Sequence, residues 1–328
     1  MVKGFLELGK FPTRVHEIPR AARALGIPGS LWVKREDEAG EPYGGNKVRK
    51  LGFIIWDAMR DDAKSMLLLA PFGSNCAVAL SSYAPRFGLI PFIVFVNLWG
   101  KGIEGSAIEK ADLCRSLGAR TFLAYRISEL PVKLAMALRE ARGMGKTFLI
   151  PPGATSPSSI LGYVMAAGEL SSQIGAGIIP EPDFIFVPVG SGGTLSGLAI
   201  GCRIFGLKSK LIGISAARGP LTHPLRISML INSGYGEVKR RGLEMRGWAL
   251  DKLEIRISND FVGTGYGIPT EEGERMIGIL RDEEGILLDR TYTSKAFAGM
   301  AYILRRLGGK KTVSLFISTY SPMPWEVA

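Results

Sequence analysis

A lysine that follows two glycines is the first residue whose type and position indicate chemistry. In residues 44–47, Gly-Gly-Asn-Lys, the glycines would let the backbone approach a ligand, and Lys47 stands at a predicted helix start. A buried, desolvated lysine amine has a lowered pKa and becomes a nucleophile. The same residues also fit an exposed helix start, so the segment alone leaves both interpretations open.

A glycine-rich turn between a predicted strand and a predicted helix is the second chemical signal. It consists of Gly190, Ser191, Gly192, Gly193, Thr194 and Leu195. Successive backbone N–H groups, the helix dipole and two hydroxyls form a cup that suits a phosphate. The turn is not a P-loop, and Leu195 stands where the dinucleotide pattern requires a third glycine. A single phosphate ester fits better than a nucleotide; the alternative is a tight turn that only packs the strand against the helix.

Two further segments carry side chains that suit a substrate or a cofactor. Ser74 and Asn75 stand where a strand ends and a helix begins, and they can bind a carboxylate or a phenolic oxygen. Either residue can equally be a plain N-cap. Tyr266 and Tyr292 lie in predicted turns and can position a substrate or exchange protons, although tyrosines in such places more commonly pack and form hydrogen bonds.

The elements that must position these residues alternate between strands and helices. Short apolar or β-branched runs predict strands, and a 3.6-residue period predicts helices such as 106–117 and 130–142. The strand candidates are residues 31–35, 66–70, 92–96, 121–124, 147–150, 184–189, 211–215, 253–257 and 313–318. The pattern predicts an α/β fold of two open, mainly parallel twisted sheets flanked by helices. The segment 151–157 is the best candidate for the crossing from a smaller, four-stranded sheet to a larger one.

Composition narrows the function classes. A chain of 328 residues with 46% hydrophobic content can bury a large core. The start of the chain lacks a signal-peptide pattern and the apolar stretches are too short to span a bilayer, so we expect a soluble, cytoplasmic protein without a membrane partner. Three separated cysteines fit a reducing compartment, and two histidines offer no metal-ligand spacing. The net charge of +11 comes from dispersed basic residues, which argues against nucleic-acid binding.

Taken together and in this order, the segments resemble the fold-type-II pyridoxal-phosphate enzymes, specifically the group of D-cysteine desulfhydrase and 1-aminocyclopropane-1-carboxylate deaminase. The resemblance implies a fold like that of the tryptophan synthase β subunit. Residues 1–50 and 163–328 would form a larger cofactor-binding domain, and residues 51–162 a smaller inserted one. It also implies pyridoxal 5′-phosphate as cofactor, a small amino acid as substrate and a homodimer.

The resemblance assigns roles to the candidate residues. Lys47 would carry the cofactor as a Schiff base, and Lys50 would help the turn at 190–195 to hold its phosphate. Ser74 and Asn75 would meet the substrate carboxylate and the phenolic oxygen of the cofactor. The tyrosines at 266 and 292 would face the substrate.

The residue after Tyr292 separates the two activities of this group. Deaminases typically have a glutamate there against the pyridine nitrogen, whereas desulfhydrase-like members have a threonine, and this chain has Thr293. A second threonine of the desulfhydrases, in a His-Thr-Gly-Gly segment, corresponds to Thr319, whose neighbours here differ. The resemblance therefore favours β-elimination, with Lys47 as the base at Cα and with sulfide, pyruvate and ammonia as the products from D-cysteine.

Departures from the family pattern concentrate near the substrate. Relatives usually have histidine or glutamine after the Ser-Asn pair and arginine two positions further, where this chain has Cys76 and Val78. Three alternatives therefore stay open: ring-opening deamination of 1-aminocyclopropane-1-carboxylate, a β-replacement or racemase activity, and a cofactor-binding protein with little turnover.

Overall fold

The computed structural model describes residues 4–98, 103, 105–242 and 254–322. Its strands are β1 (Val15–Glu17), β2 (Gly29–Arg35), β3 (Ser65–Pro71), β4 (Ile90–Val96), β5 (Arg120–Ala124), β6 (Thr147–Ile150), β7 (Phe184–Val189), β8 (Lys210–Ser215), β9 (Ile255–Ser258) and β10 (Thr312–Ser318). Its helices are α1 (Pro19–Ala24), α2 (Lys47–Arg60), α3 (Asn75–Tyr83), α4 (Gly105–Ser116), α5 (Leu130–Gly143), α6 (Pro157–Gly175), α7 (Gly193–Ile204), α8 (Pro224–Arg240), α9 (Glu271–Glu284) and α10 (Thr293–Arg305). Within these residues, no helix is both long enough and apolar enough to cross a membrane.

Each predicted strand is present, with bounds that differ by a few residues. The prediction for residues 253–257 begins outside the described residues, and β9 starts at Ile255. The two predicted helices named above appear as α4 and α5. Strand β1 was not predicted, because three residues are too few to show an alternating pattern.

The larger of two compact units contains residues 9–46 and the chain from residue 160 onward. Within the described residues its sheet has the order β1-β2-β10-β7-β8-β9, and every pair is parallel except β1 with β2. Strand β10 pairs with β2 along its whole length, from Thr312 opposite Gly29 to Ser318 opposite Arg35. Because parallel strands run in one direction, the carboxyl ends of β7 and β10 lie at the same edge of this sheet. The turn at 190–195 and Thr319 begin at that edge.

The core of the larger unit packs helices α1, α9 and α10 against its sheet. Ile212 and Ile214 of β8 face this core, while Leu211 just before them is buried too, so β8 is covered on both faces, as is usual in a parallel sheet. Phe297 of α10 meets Phe316 of β10 edge to face, with ring centroids 5.1 Å apart. This contact fixes α10, and therefore the residues at its N-terminus, on the sheet.

The smaller unit contains residues 47–159 together with residues 4–8. Its described sheet has the order β5-β4-β3-β6, and all pairs are parallel. Phe92 and Val94 of β4 pack against Ala137 and Ala141 of α5. Strand β3 leads through a short turn into α3, so the carboxyl end of a central strand precedes Ser74 and Asn75.

The predicted division at residues 51–162 stays a prediction. Contacts define two compact units in the folded chain, but a domain is a part that can fold alone, which contacts do not measure.

Candidate active site

The glycine-rich turn of the larger unit opens α7 directly after β7. Gly192 has a φ of +84°, in the left-handed region that favours glycine, and no side chain caps the helix. The N–H groups of the first turn of α7 therefore have no acceptor within the helix, and the positive end of the helix dipole favours an anion there. Asn46 donates from Nδ2 to the Thr194 hydroxyl at 3.0 Å, which leaves the Thr194 proton to donate to a ligand. The turn thus has the chemistry of a phosphate site.

The two glycines before Lys47 are required by the protein's own backbone. A Cβ on Gly44 would lie 2.0 Å from the Asp37 carbonyl oxygen, and one on Gly45 would lie 2.8 Å from the Thr319 carbonyl oxygen. The N–H of Asn46 donates to the same Thr319 oxygen at 3.1 Å. Within the described residues these contacts hold the chain in place up to Asn46, and the approach of a ligand to the two glycines stays a prediction.

The hydroxyls of Thr293 and Thr319 differ in what they already bind. Thr293 Oγ1 donates to Asp289 Oδ1 at 2.6 Å and accepts from the Asp289 N–H at 2.8 Å, so only one lone pair is left. Thr319 is 8% exposed, and its hydroxyl makes no hydrogen bond to any other described residue. Thr319 can therefore donate to a new partner, whereas Thr293 can only accept.

Tyr266 and Tyr292 form a pair at the same edge. Their hydroxyl oxygens are 2.6 Å apart and their rings meet edge to face at 5.6 Å. The Tyr292 ring lies against Gly190, where a Cβ would be 2.7 Å from Tyr292 Cε1. The larger unit thus brings both tyrosines and the glycine-rich turn together.

Asp289 organises the start of α10, a role that none of the sequence motifs indicated. Its carboxylate accepts from the N–H groups of Thr291, Tyr292 and Thr293 at 3.2, 3.0 and 2.8 Å. An aspartate just before a helix is a recognised capping signal, so local rules could have identified it. It fixes the backbone that carries Tyr292 and Thr293.

Lys295 ties the loop before Tyr266 to α10. Its ammonium is buried and donates to the carbonyls of Val262 and Gly265 at 2.8 and 2.9 Å. Burial lowers the pKa of Lys295 to about 8, and the charge of Asp289 opposes that shift. The positive end of the α10 dipole repels a cation at this position. The two carbonyl contacts and the nearby Asp289 carboxylate therefore have to offset that repulsion.

In the smaller unit, α2 places two lysines one turn apart. Lys47 begins the helix and is half-buried, while Lys50 is 1% exposed and donates to Thr155 Oγ1 at 3.2 Å. Burial and then the charge of Lys47 hold the pKa of Lys50 well below its usual range. Burial also raises the pKa of the Cys76 thiol, against the charges of the two lysines. A buried ammonium with a single hydroxyl partner is a site that an anion would stabilise.

Ser74 and Asn75 begin α3 and differ in their bonds. Ser74 caps the helix, since its Oγ accepts from the Ala77 N–H at 3.3 Å, and its proton stays available. Asn75 Oδ1 accepts from Lys110 Nζ on α4 at 2.9 Å. Lys110 carries no motif signal, because a lysine on an amphipathic helix is ordinarily a solvated residue.

Comparisons with known proteins agree on the class of this chain. The model of the pyridoxal-phosphate dependent enzyme family matches residues 6–319. A D-cysteine desulfhydrase of Klebsiella pneumoniae (strain 342) is 30% identical over 306 residues, which cover 90% of this chain and 87% of the relative. The crystal structure of an ACC deaminase homologue has a TM-score of 0.78 and 28% identity, with 97% of this chain and 91% of that chain covered. The threonine deaminase isoform 2 of Solanum lycopersicum, at 18% identity, TM-score 0.62 and 96% and 80% coverage, shares the fold.

Two mainly parallel sheets with flanking helices and a glycine-rich turn after a central strand define a fold-type-II pyridoxal-phosphate enzyme. The chain belongs to the pyridoxal-phosphate dependent enzymes, in the group of D-cysteine desulfhydrase and 1-aminocyclopropane-1-carboxylate deaminase. The fold class, the cofactor and the enzymatic nature expected from the sequence are thereby confirmed. The roles of individual residues stay predictions.

Buried polar atoms fit such a cofactor independently of the comparisons. Ser215 and Ser318 end β8 and β10, and their buried hydroxyl oxygens have no hydrogen-bond partner among the described residues. Buried polar groups are rarely left unpaired, so a polar ligand at this edge would satisfy them. The amine of Lys47 suits an aldehyde, and the start of α7 suits a phosphate.

Proposed function

We propose that this enzyme is a β-eliminating lyase of small amino acids, with D-cysteine as the model substrate and pyruvate, ammonia and sulfide as products. The observation that carries the proposal is the buried Thr293, at the position where deaminases of this group typically have a glutamate. The free hydroxyl of Thr319 supports it further, because it can donate to an unprotonated ring nitrogen. Such a partner favours prompt loss of a leaving group.

The proposed cofactor-binding residues follow from their chemistry and from the elements that carry them. The turn at 190–195 and Lys50 would bind the phosphate, Lys47 Nζ the aldehyde carbon, Asn75 the phenolic oxygen, and Thr319 the ring nitrogen. When bound, pyridoxal phosphate supplies an electron sink for the negative charge that develops at Cα. Thr293 is proposed to accept a hydrogen bond at most, since Asp289 holds its proton.

The protein groups would then act on the substrate as follows. The Ser74 hydroxyl donates to the substrate carboxylate and orients the Cα–H bond. Lys47 Nζ would act as the base that removes the Cα proton. The Tyr266–Tyr292 pair delivers a proton to the sulfur as the Cβ–S bond breaks, and the 2.6 Å bond between the hydroxyls lets one tyrosine reprotonate the other.

A substrate panel tests this proposal. We expect D-cysteine and β-chloro-D-alanine to release pyruvate, with sulfide from D-cysteine, and Lys47→Ala to abolish both. Release of 2-oxobutyrate from 1-aminocyclopropane-1-carboxylate without sulfide from D-cysteine would assign ring opening instead. A normal visible absorbance with pyridoxal phosphate but no turnover across the panel would point to a cofactor-binding protein. No visible absorbance at all would contradict every role proposed for Lys47.

One observation favours the deaminase as the second candidate. The Asp289 carboxylate lies directly behind Thr293, so Thr293 offers the ring nitrogen an acceptor, as a glutamate does. Thr319→Val and Thr293→Val separate the two candidates. Thr319→Val removes a hydroxyl that can donate, whereas Thr293→Val removes one that can only accept. If elimination needs a neutral donor at the ring nitrogen, Thr319→Val lowers its rate more than Thr293→Val does.

A further inference from the structure

We propose that Lys110 is a positioning residue, which fixes the orientation of the Asn75 amide and so strengthens the hydrogen bond of Asn75 to the phenolic oxygen of the cofactor. The inference rests on the proposed role of Asn75. It adds a residue of α4, a helix to which neither the family pattern nor the motif analysis assigns a part.

The contact between the two side chains is direct. Helix α4 packs against α3, and a Cβ on Gly73, in the turn before α3, would lie 3.4 Å from Ala107 Cβ. Lys110, one turn further along α4, reaches Asn75 Oδ1 with its Nζ at 2.9 Å. Both side chains are half-buried, so water screens this bond less than it would an exposed one.

The chemistry of an ammonium group decides which way the amide points. Lysine has three donors and no acceptor, so it can bind Asn75 only through the carbonyl oxygen. The Nδ2 group must then point away from Lys110, and it makes no hydrogen bond within the described residues. Asn75 therefore presents a free N–H donor, which is what a phenolate oxygen requires.

Without Lys110 the amide has two nearly isosteric orientations. The oxygen and nitrogen of asparagine have similar size, and a rotation of about 180° about the terminal bond exchanges them. In the exchanged orientation a carbonyl oxygen faces the phenolic oxygen, and two acceptors repel each other. Lys110 removes that orientation, and its charge also polarises the amide, which makes Nδ2 a stronger donor.

A double-mutant cycle on the full-length chain, freed of cofactor, tests the proposal. The probe is pyridoxine 5′-phosphate, which keeps the phosphate and the phenolic oxygen but has no aldehyde to react with Lys47. We expect Lys110→Met to raise its dissociation constant about fivefold, as for the loss of one hydrogen bond, and to lower the fraction of ionised phenol seen in the absorbance spectrum. In the Asn75→Ala background, Lys110→Met should cause no further change.

Three controls separate positioning from a general charge effect. Lys133→Met removes a half-buried lysine from α5 of the same unit and should leave the dissociation constant unchanged. The 3-deoxy analogue of the probe, which lacks the phenolic oxygen, should bind wild type and Lys110→Met equally. Lys110→Arg keeps a cationic donor and should restore most of the affinity.

The outcomes distinguish this inference from the proposed function. Equal weakening of both probes, or a Lys110→Met effect that persists without Asn75, would show that Lys110 acts through charge or folding and would overturn the inference. If Lys110→Met binds pyridoxine 5′-phosphate as tightly as the wild type does, the inference is overturned too. In that case, β-elimination by the wild-type enzyme would still support the proposed function. A wild type that binds neither probe would contradict both. Melting temperatures of all variants identify any that fail to fold.

Discussion

The three buried lysines among the described residues differ in how their charge is compensated. Lys34 forms an ion pair with the Glu169 carboxylate at 3.3 Å and also donates to Gln173 and to the Thr13 carbonyl. Lys295 donates to two carbonyls. Lys50 has one hydroxyl partner and a second lysine nearby. At the scale of single residues, Lys50 is therefore the lysine whose charge most needs an anion from outside the chain.

Lys50→Met should stabilise the cofactor-free protein, and by an amount that falls as the pH rises. Because the pKa of Lys50 is lowered on folding, the unfolded chain binds more protons between the folded pKa and the unfolded value of about 10.5. In that window the stability of wild type relative to Lys50→Met rises with pH, by at most about 1.4 kcal/mol per pH unit. Urea unfolding of both proteins at pH 8.5 and 9.5 measures this difference.

Lys133→Met is the control, because it also removes one positive charge from the smaller unit but takes it from a half-buried position on α5. A stability difference between wild type and Lys50→Met that stays constant over this pH range would contradict a depressed pKa. Excess phosphate should reduce the advantage of the methionine variant, because the anion restores the charged lysine.

The tyrosine pair should behave as one unit in catalysis. Tyr266→Phe and Tyr292→Phe each remove the shared 2.6 Å bond, so each should lower kcat by about 10²-fold, the size of a lost general acid. The double variant should be no slower than the slower single variant, because the second substitution has no remaining bond to break. Steady-state pyruvate release measures all three. Multiplicative losses would mean that the two hydroxyls act independently.

At the scale of elements, α7 depends on glycine for its position. A Cβ on Gly197 would lie 2.4 Å from the Ile160 carbonyl oxygen and 2.5 Å from Tyr163 Cβ, both on α6. The close approach of α6 and α7 therefore sets where the first turn of α7 points its N–H groups. Gly278 of α9, in contrast, has open space where its Cβ would be.

Alanine at these two helical positions should have opposite effects. Gly197→Ala should destabilise the protein by about 1–3 kcal/mol, because helix packing must open, and should also weaken phosphate binding. Gly278→Ala should stabilise it by up to about 1 kcal/mol, since alanine is the better helix former. Chemical denaturation of both variants gives the comparison. A Gly197→Ala variant with the same free energy of unfolding as the wild type would contradict the close contact between α6 and α7.

Elements were more predictable than the contacts among them. The short apolar runs of β3, β4 and β7 indicated strands by local pattern, and the turn at 190–195 was visible as a glycine cluster. Strand β1 was missed because it is short and stable only through its partner β2. The bond from Lys110 to Asn75 had no local signal, since it depends on how α4 packs against α3.

At the scale of the whole molecule, the sequence predicted two mainly parallel sheets but not which strands are neighbours. Alternation of strands and helices requires parallel pairing, yet it permits many strand orders. The order β2-β10-β7 depends on a core that residues from both ends of the chain share, such as Leu31 and Phe316. The same limit applies to the candidate site. Its motifs could be recognised one by one in the sequence, but the distances between their side chains depend on how the strands and helices pack.

The pairing of β2 with β10 has a consequence for the order in which the protein is made. A ribosome releases β2 long before β10, so β2 waits without its central neighbour while the residues between them are made, whereas β3 to β6 follow one another and can pair as they emerge. In refolding monitored by pulsed hydrogen exchange, amides of β3 and β4 should gain protection before those of β2 and β10, because the shorter loops close sooner. Simultaneous protection would contradict this order. A nascent chain that has passed β2 but has not reached residue 312 would expose an unpaired strand edge on β2, which a chaperone would have to cover during that interval.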